Sequence, residues 1–165
     1  MRTMLFLAVG CALATTIALS GCGGQKAVQD LSRGMQRAGD AQDKATCLSN
    51  LKQLALAALM FAQDHNETLP SANTWSDDIG PYCRSTEILR CPSDTSDYSY
   101  AMNSKVSGKK IGDIADPVKT VIFFESSAGV RNAADPMTSV CKPPRHGDGN
   151  NLAYVDGHVK WVTTP

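Results

Sequence analysis

The spacing of apolar positions changes along this chain, and each spacing predicts a different element. Behind Arg2, residues 4–19 form a nearly unbroken apolar run, too short to cross a bilayer comfortably. Residues 23–46 are polar and keep a narrow stripe, Val28, Leu31, Met35 and Ala38, spaced three and four apart. That spacing predicts a helical spacer with one weakly apolar edge, which Gly34 and Gly39 loosen. From Cys47 the stripe widens: Leu48, Leu51, Leu54, Ala55, Ala58, Leu59, Phe61 and Ala62 make a broad face, with Lys52, Gln53, Gln63 and Asp64 elsewhere on the cylinder. This is the main helix. Asn66 and Pro70 end it, because proline disfavours helical geometry at Leu69 and asparagine suits a turn.

Beyond Pro70 the segments are shorter. Residues 75–82 predict one or two helical turns with Trp75, Ile79 and Tyr82 inward, limited by Pro81. Ser99, Tyr100, Ala101 and Met102 make a short strand, and Thr120, Val121, Ile122, Phe123, Phe124 and Glu125 a stronger one. Such a continuous run of strand formers belongs at the centre of a sheet or is buried on both faces. Residues 126–150, rich in Gly, Asn, Asp and Pro, predict a long surface excursion. The closing segment predicts a two-residue hairpin around Asp156-Gly157. In that register Val155 faces His158, Tyr154 faces Val159, Ala153 faces Lys160 and Leu152 faces Trp161. Leu152, Tyr154, Val159 and Trp161 would then be the core face, and His158 would point outward. Helix 48–62 packed on this antiparallel sheet gives an α+β fold.

Composition narrows the function. The 165 residues carry 16 basic and 16 acidic side chains, with no cluster of Lys and Arg, so nucleic acid is not an expected partner. One core fits this length. Six cysteines are present. Cys11 lies in the apolar leader and Cys22 just after it, which leaves Cys47, Cys83, Cys91 and Cys141 as disulfide candidates with three possible connectivities. No Cys-x-x-Cys pair occurs, which weakens zinc and thioredoxin-type readings.

The start of the chain resembles a bacterial lipoprotein signal: Arg2, the apolar run, then Leu19-Ser20-Gly21-Cys22. The resemblance implies cleavage of residues 1–21 and acylation of Cys22, each buried methylene contributing about 0.8 kcal/mol to anchoring. Residues 22–46 would be the lipidated terminus and spacer, and 47–165 the head domain. The expected place is the cell envelope, on a membrane-anchored lipoprotein facing the periplasm or exterior. That oxidising compartment favours disulfides.

Within the head, Cys47-Leu48-Ser49-Asn50-Leu51-Lys52-Gln53-Leu54, then Met60-Phe61-Ala62-Gln63-Asp64-His65, resemble the opening of a family of bacterial pilin-like proteins. Arg90-Cys91-Pro92-Ser93-Asp94 and Ser99-Tyr100-Ala101-Met102-Asn103 resemble its middle section. His146, nine residues, then Asp156-Gly157-His158-Val159 resemble its closing prepilin-type His-x9-Asp-Gly signature. The resemblance implies a pilin or type II secretion pseudopilin fold, a long N-terminal helix on a small antiparallel sheet ending in a hairpin. The family-like motifs suggest a Cys47–Cys91 bond, which leaves Cys83 with Cys141 to pin the excursion. The chain departs from the family at its start, where a lipobox and a polar spacer replace the prepilin peptidase site and apolar stalk. Without that stalk a monomer or weak self-association is expected.

Candidate chemistry is sparse. His146, Asp148, Asp156 and His158 are the residues that suggest a site, yet Asp156 is explained by the turn, and Asp148-Gly149-Asn150 lacks the rest of a calcium loop. His146 is expected to fold back on the hairpin and hydrogen-bond backbone groups. No nucleophile elbow, His-Glu-x-x-His or phosphate-binding loop occurs, so the expectation is no enzyme, no cofactor and no metal. Two function classes follow. The leading one is a lipid-anchored pilin-like structural or interaction module serving an envelope secretion or pilus-like system. The other is an envelope protein binding a ligand or metal through the 126–150 loop and outer hairpin face, which a tight cluster of His146, Asp148 and His158 would favour.

Overall fold

The computed structural model describes residues 22–163, with side chains from Gln25 to Thr163. The expected signal segment 1–21 and the side chain of Cys22, the expected lipidation site, lie outside the described residues.

Helix α1 spans Cys22–Asp64. Through Met35 its stripe stays in solvent, with Val28, Leu31 and Met35 each about two-thirds exposed. From Gln36 the chain forms a second compact unit, and there the same helix becomes a core element. A stretch within Gln25–Asp64 is long and apolar enough to cross a membrane by length and composition alone. From Cys47 onward, however, its apolar side is spent on the sheet: Cys47, Leu51, Leu54, Ala58 and Ala62 are fully buried. The helix ends where expected, with Asn66 and Glu67 at positive φ of 54° and 58°.

Five strands form one sheet in the order β3-β1-β2-β4-β5: β1 Tyr100–Asn103, β2 Val121–Glu125, β3 Ala134–Asp135, β4 Gly149–Tyr154 and β5 Val159–Thr163. All neighbours are antiparallel except the short β1–β3 pair. The architecture is α+β, a long helix packed on a mostly antiparallel sheet. Strand β2 is central and buried at all five positions, as its run of strand formers predicts. An irregularity between Val121 and Phe123 shifts its register against β4. One face of the sheet, with Phe123, Met102, Ala153 and Val155, packs on α1 together with Trp75 and Ile79 from the short helix α2 (Trp75–Asp78) and the residue after it. Each fully buried large side chain here contributes about 1.5–3 kcal/mol.

Two expectations fail in an instructive way. The hairpin slips by one residue, so that Ala153 pairs with Val159, Leu152 with Lys160 and Asn151 with Trp161. Tyr154 and His158 close a three-residue loop, the Tyr154 N–H donating to His158 O over 2.9 Å, with Gly157 at φ 85°. This is the loop in which the last residue takes the left-handed conformation. A one-residue slip moves every side chain of one strand to the other face. Ala153 and Val155 therefore meet α1, while Leu152 and Tyr154 lie on the far face. The excursion 126–150 is also no simple surface loop. Ala133 and Val140 cover the far face, against Ala101, Val121, Phe124 and Leu152, because that face is apolar and needs a second layer.

Candidate functional site

The buried chemistry of the protein converges where β4 begins. Cys47 on α1 and Cys91, after the 3-10 turn Thr86–Leu89, form a disulfide with Cα atoms 5.4 Å apart. Closing the intervening loop stabilises the fold by up to about 4 kcal/mol in the chain-entropy model. Around the bond, the Cys91 N–H donates to the Ser99 hydroxyl at 2.9 Å, and Asn50 Nδ2 donates to Arg90 O at 2.8 Å.

His146 lies against this bond. Its Nε2 is 2.9 Å from Glu125 Oε1 and 3.4 Å from Cys91 Sγ. Facing two acceptors, Nε2 carries a proton in the hydrogen-bond network. Glu125, the last residue of β2, is fully buried. Its side-chain oxygens accept from the Asn151 N–H at 2.9 Å and from Asn151 Nδ2 at 3.1 Å, so these buried polar atoms meet donors, as their burial requires. Asn151 Nδ2 also donates to Lys44 O at 3.2 Å, carrying the network back to α1. The Asn151 Oδ1 atom is buried without a partner among the described residues.

Arg145 secures the preceding segment. Its guanidinium is 2.6 Å from Asp94 Oδ2 and donates to Ser99 O and Ser126 O, both at 3.0 Å. Burial pushes the Asp94 carboxyl up, but the Ser96 and Ser99 hydrogen bonds and the Arg145 charge outweigh it and hold it below the usual carboxylate range. Gly149 is fixed by crowding, since a Cβ there would collide with Val162 O and come within 2.7 Å of the Trp161 ring. Trp161 Nε1 in turn donates to His146 O at 3.2 Å.

The other end of β4 docks on the same helix by different means. Lys52 Nζ donates to Gly157 O at 2.6 Å, and a Cβ on Gly157 would sit 3.0 Å from Leu59 Cδ1. Asp156 Oδ1 accepts from the His158 N–H at 3.1 Å and lies 2.6 Å from His158 Nδ1. The six residues of β4 span about 20 Å, and the helix from Cys47 to Leu59 spans about 18 Å. The nine residues between His146 and Asp156 are thus β4 with its flanking residues, and they run from the contacts near Cys47 to those near Lys52 and Leu59 on α1.

The expected site residues separate. His146 joins Glu125 and the disulfide, Asp148 is exposed beside Arg37, Asp40 and Trp161, and His158 stacks on Tyr154 at 4.1 Å between ring centroids. The tight triad of His146, Asp148 and His158 does not form. The ring of His146 also meets a carboxylate and a sulfur rather than backbone groups. Cys83 and Cys141 remain free thiols, which corrects the expected second disulfide. Cys83 follows the 3-10 turn Gly80–Tyr82 and donates to Ile79 O at 3.3 Å, whereas Cys141 is held beside β2, its N–H bonded to Glu125 O. Burial pushes both thiols up, Cys141 to about 11, so neither is a ready nucleophile. The excursion is held by Arg145 and Asn150, whose Nδ2 donates to Cys141 O at 3.0 Å, not by a disulfide.

Sequence reasoning missed Glu125, Asn151, Asp94 and Arg145 as partners of this cluster. A usable signal existed for Glu125, a charged residue closing a strand otherwise made for burial. No family model, curated protein or solved structure matches the chain.

Proposed function

We propose that this chain is a lipid-anchored, non-enzymatic module of a bacterial cell envelope with a pilin- or pseudopilin-like head. Acyl chains on Cys22 hold it to the membrane, and the head engages a protein partner in an envelope secretion or pilus-like system. The observation that carries the reading is helix α1, whose C-terminal half packs on a five-stranded sheet closed by a hairpin. The Cys47–Cys91 bond supports it further, because a disulfide on this helix suits an oxidising compartment. The separation of His146, Asp148 and His158 favours this reading over a ligand site on the excursion.

Intact mass of the protein from native membranes, with and without reduction, tests the proposal. The expected mass corresponds to cleavage before Cys22 plus acyl chains and rises by two hydrogens on reduction. A mass that retains the leader or lacks lipid contradicts it.

A further inference from the structure

The disulfide and its two buried neighbours have the composition of a metal centre. One ligand atom from each of Cys47, Cys91, Glu125 and His146 lies within 4.8 Å of the other three, and all four residues are buried. Two sulfurs, an imidazole nitrogen and a carboxylate oxygen are donors that a tetrahedral zinc site uses, at about 2.0–2.3 Å from the ion. Ligand atoms around such an ion stand about 3.3–3.8 Å apart. His146 Nε2 already stands 2.9 Å from Glu125 Oε1 and 3.4 Å from Cys91 Sγ. At the cysteines, the change needed is that the two sulfurs of the disulfide release one another.

The surroundings fit the same assignment. The donors come from α1, the turn after residue 90, β2 and the segment before β4, so the fold and not a flexible loop sets their positions. Asn151 grips Glu125 through its N–H and Nδ2, and Ser99 holds the Cys91 backbone, as outer partners hold metal ligands elsewhere. Cys83 and Cys141 are not members of the group.

We infer that the reduced protein binds one thiophilic divalent cation, with zinc as the reference ion, through Cys47 Sγ, Cys91 Sγ, His146 Nε2 and Glu125. A dithiol reductant supplies two electrons and two protons, breaking the S–S bond while its own sulfurs close to a disulfide. The cation then displaces one proton from each thiol, and two sulfur–metal bonds form. His146 coordinates as neutral imidazole, its remaining proton on Nδ1. The same cysteines thereby close the fold in either redox state, and the inference stands apart from the lipid anchor.

Cobalt(II) is the probe. The full chain, with Cys83→Ser and Cys141→Ser, is purified in detergent, reduced without oxygen and titrated with cobalt. One cobalt per chain is expected, with thiolate charge-transfer and tetrahedral ligand-field bands, both lost on adding zinc. The oxidised protein is expected to take up none at this site. His146→Gln should weaken binding by more than the roughly 10–100-fold that loss of an outer partner costs, and Cys47→Ser should remove the charge-transfer band. If the reduced chain is unfolded, cobalt must restore its helical circular dichroism. A reduced chain that takes up no cobalt, gives an octahedral spectrum, stays unfolded with cobalt, or binds equally well without Cys47 overturns the inference.

Discussion

The two ends of β4 attach to the same helix with opposite materials. At the His146 end, the contacts are a covalent bond, a buried histidine–carboxylate pair and an asparagine bridge, all out of solvent. At the Asp156-Gly157 end, beside the buried Val155, the polar contacts are one part-buried lysine hydrogen bond to a left-handed glycine and an aspartate that is a third exposed. Burial makes the difference. A polar contact in the interior is costly to break, because the partner left behind keeps its desolvation penalty, while an exposed one is replaced by water. One nine-residue signature therefore joins a strong anchor to a weak one, and the weak end is the place where the hairpin can open.

The comparison can be broken by substitution. His146→Ala removes the partner of a fully buried carboxylate, and a loss of about 3–5 kcal/mol is expected in urea unfolding. Opening the Cys47–Cys91 bond by reduction, without added metal, is expected to cost up to about 4 kcal/mol in the same assay. Gly157→Ala forces an alanine to φ 85° against Leu59, with an expected loss of about 1–3 kcal/mol. Lys52→Met removes the 2.6 Å bond to Gly157 O and should cost about 1 kcal/mol. If either substitution at the glycine end matched His146→Ala, the asymmetry would be wrong.

The smallest effect concerns acid. Asp94 and Asp135 are both held below the ordinary carboxylate range, hydrogen bonds outweighing the burial that raises them. A depressed folded pKa stabilises above the unfolded value, near 3.9, and the gain disappears as pH falls through the lower folded values. Stability should therefore be level above about pH 5 and decline below about pH 4. Arg145→Met, which removes the charge beside Asp94, should make the decline shallower in a series of unfolding midpoints against pH.

What was legible in the sequence follows the same physics. The part of α1 from Cys47 onward and strand β2 carry unbroken patterns, and both form where their spacing places them, while the weaker stripe of the spacer continues the same helix. The pairing of Cys47 with Cys91 came from motif resemblance, and the bond forms. The hairpin register was not legible, because Asp-Gly serves both a two-residue turn and the last two positions of a three-residue loop. Glu125 was hidden for a different reason. Its partners Asn151 and His146 lie 26 and 21 residues later in the chain, and only the folded sheet brings them together. Arg145 read as part of a turn-rich loop, since local composition carries no trace of the Asp94 carboxylate or of the Ser99 and Ser126 carbonyls that it finds.

Native-state hydrogen exchange of two backbone amides tests the asymmetry most directly. The Asn151 N–H donates to Glu125 Oε2 at the strong end, and the Gly157 N–H donates to Tyr154 O at the weak one, each at 2.9 Å. The account predicts that in the oxidised protein Asn151 exchanges only with global unfolding, while Gly157 exchanges through a smaller local opening that has little dependence on denaturant. Reduction should lower the protection of Asn151 and leave that of Gly157 nearly unchanged. Equal protection of the two amides, or loss at Gly157 alone on reduction, would contradict it.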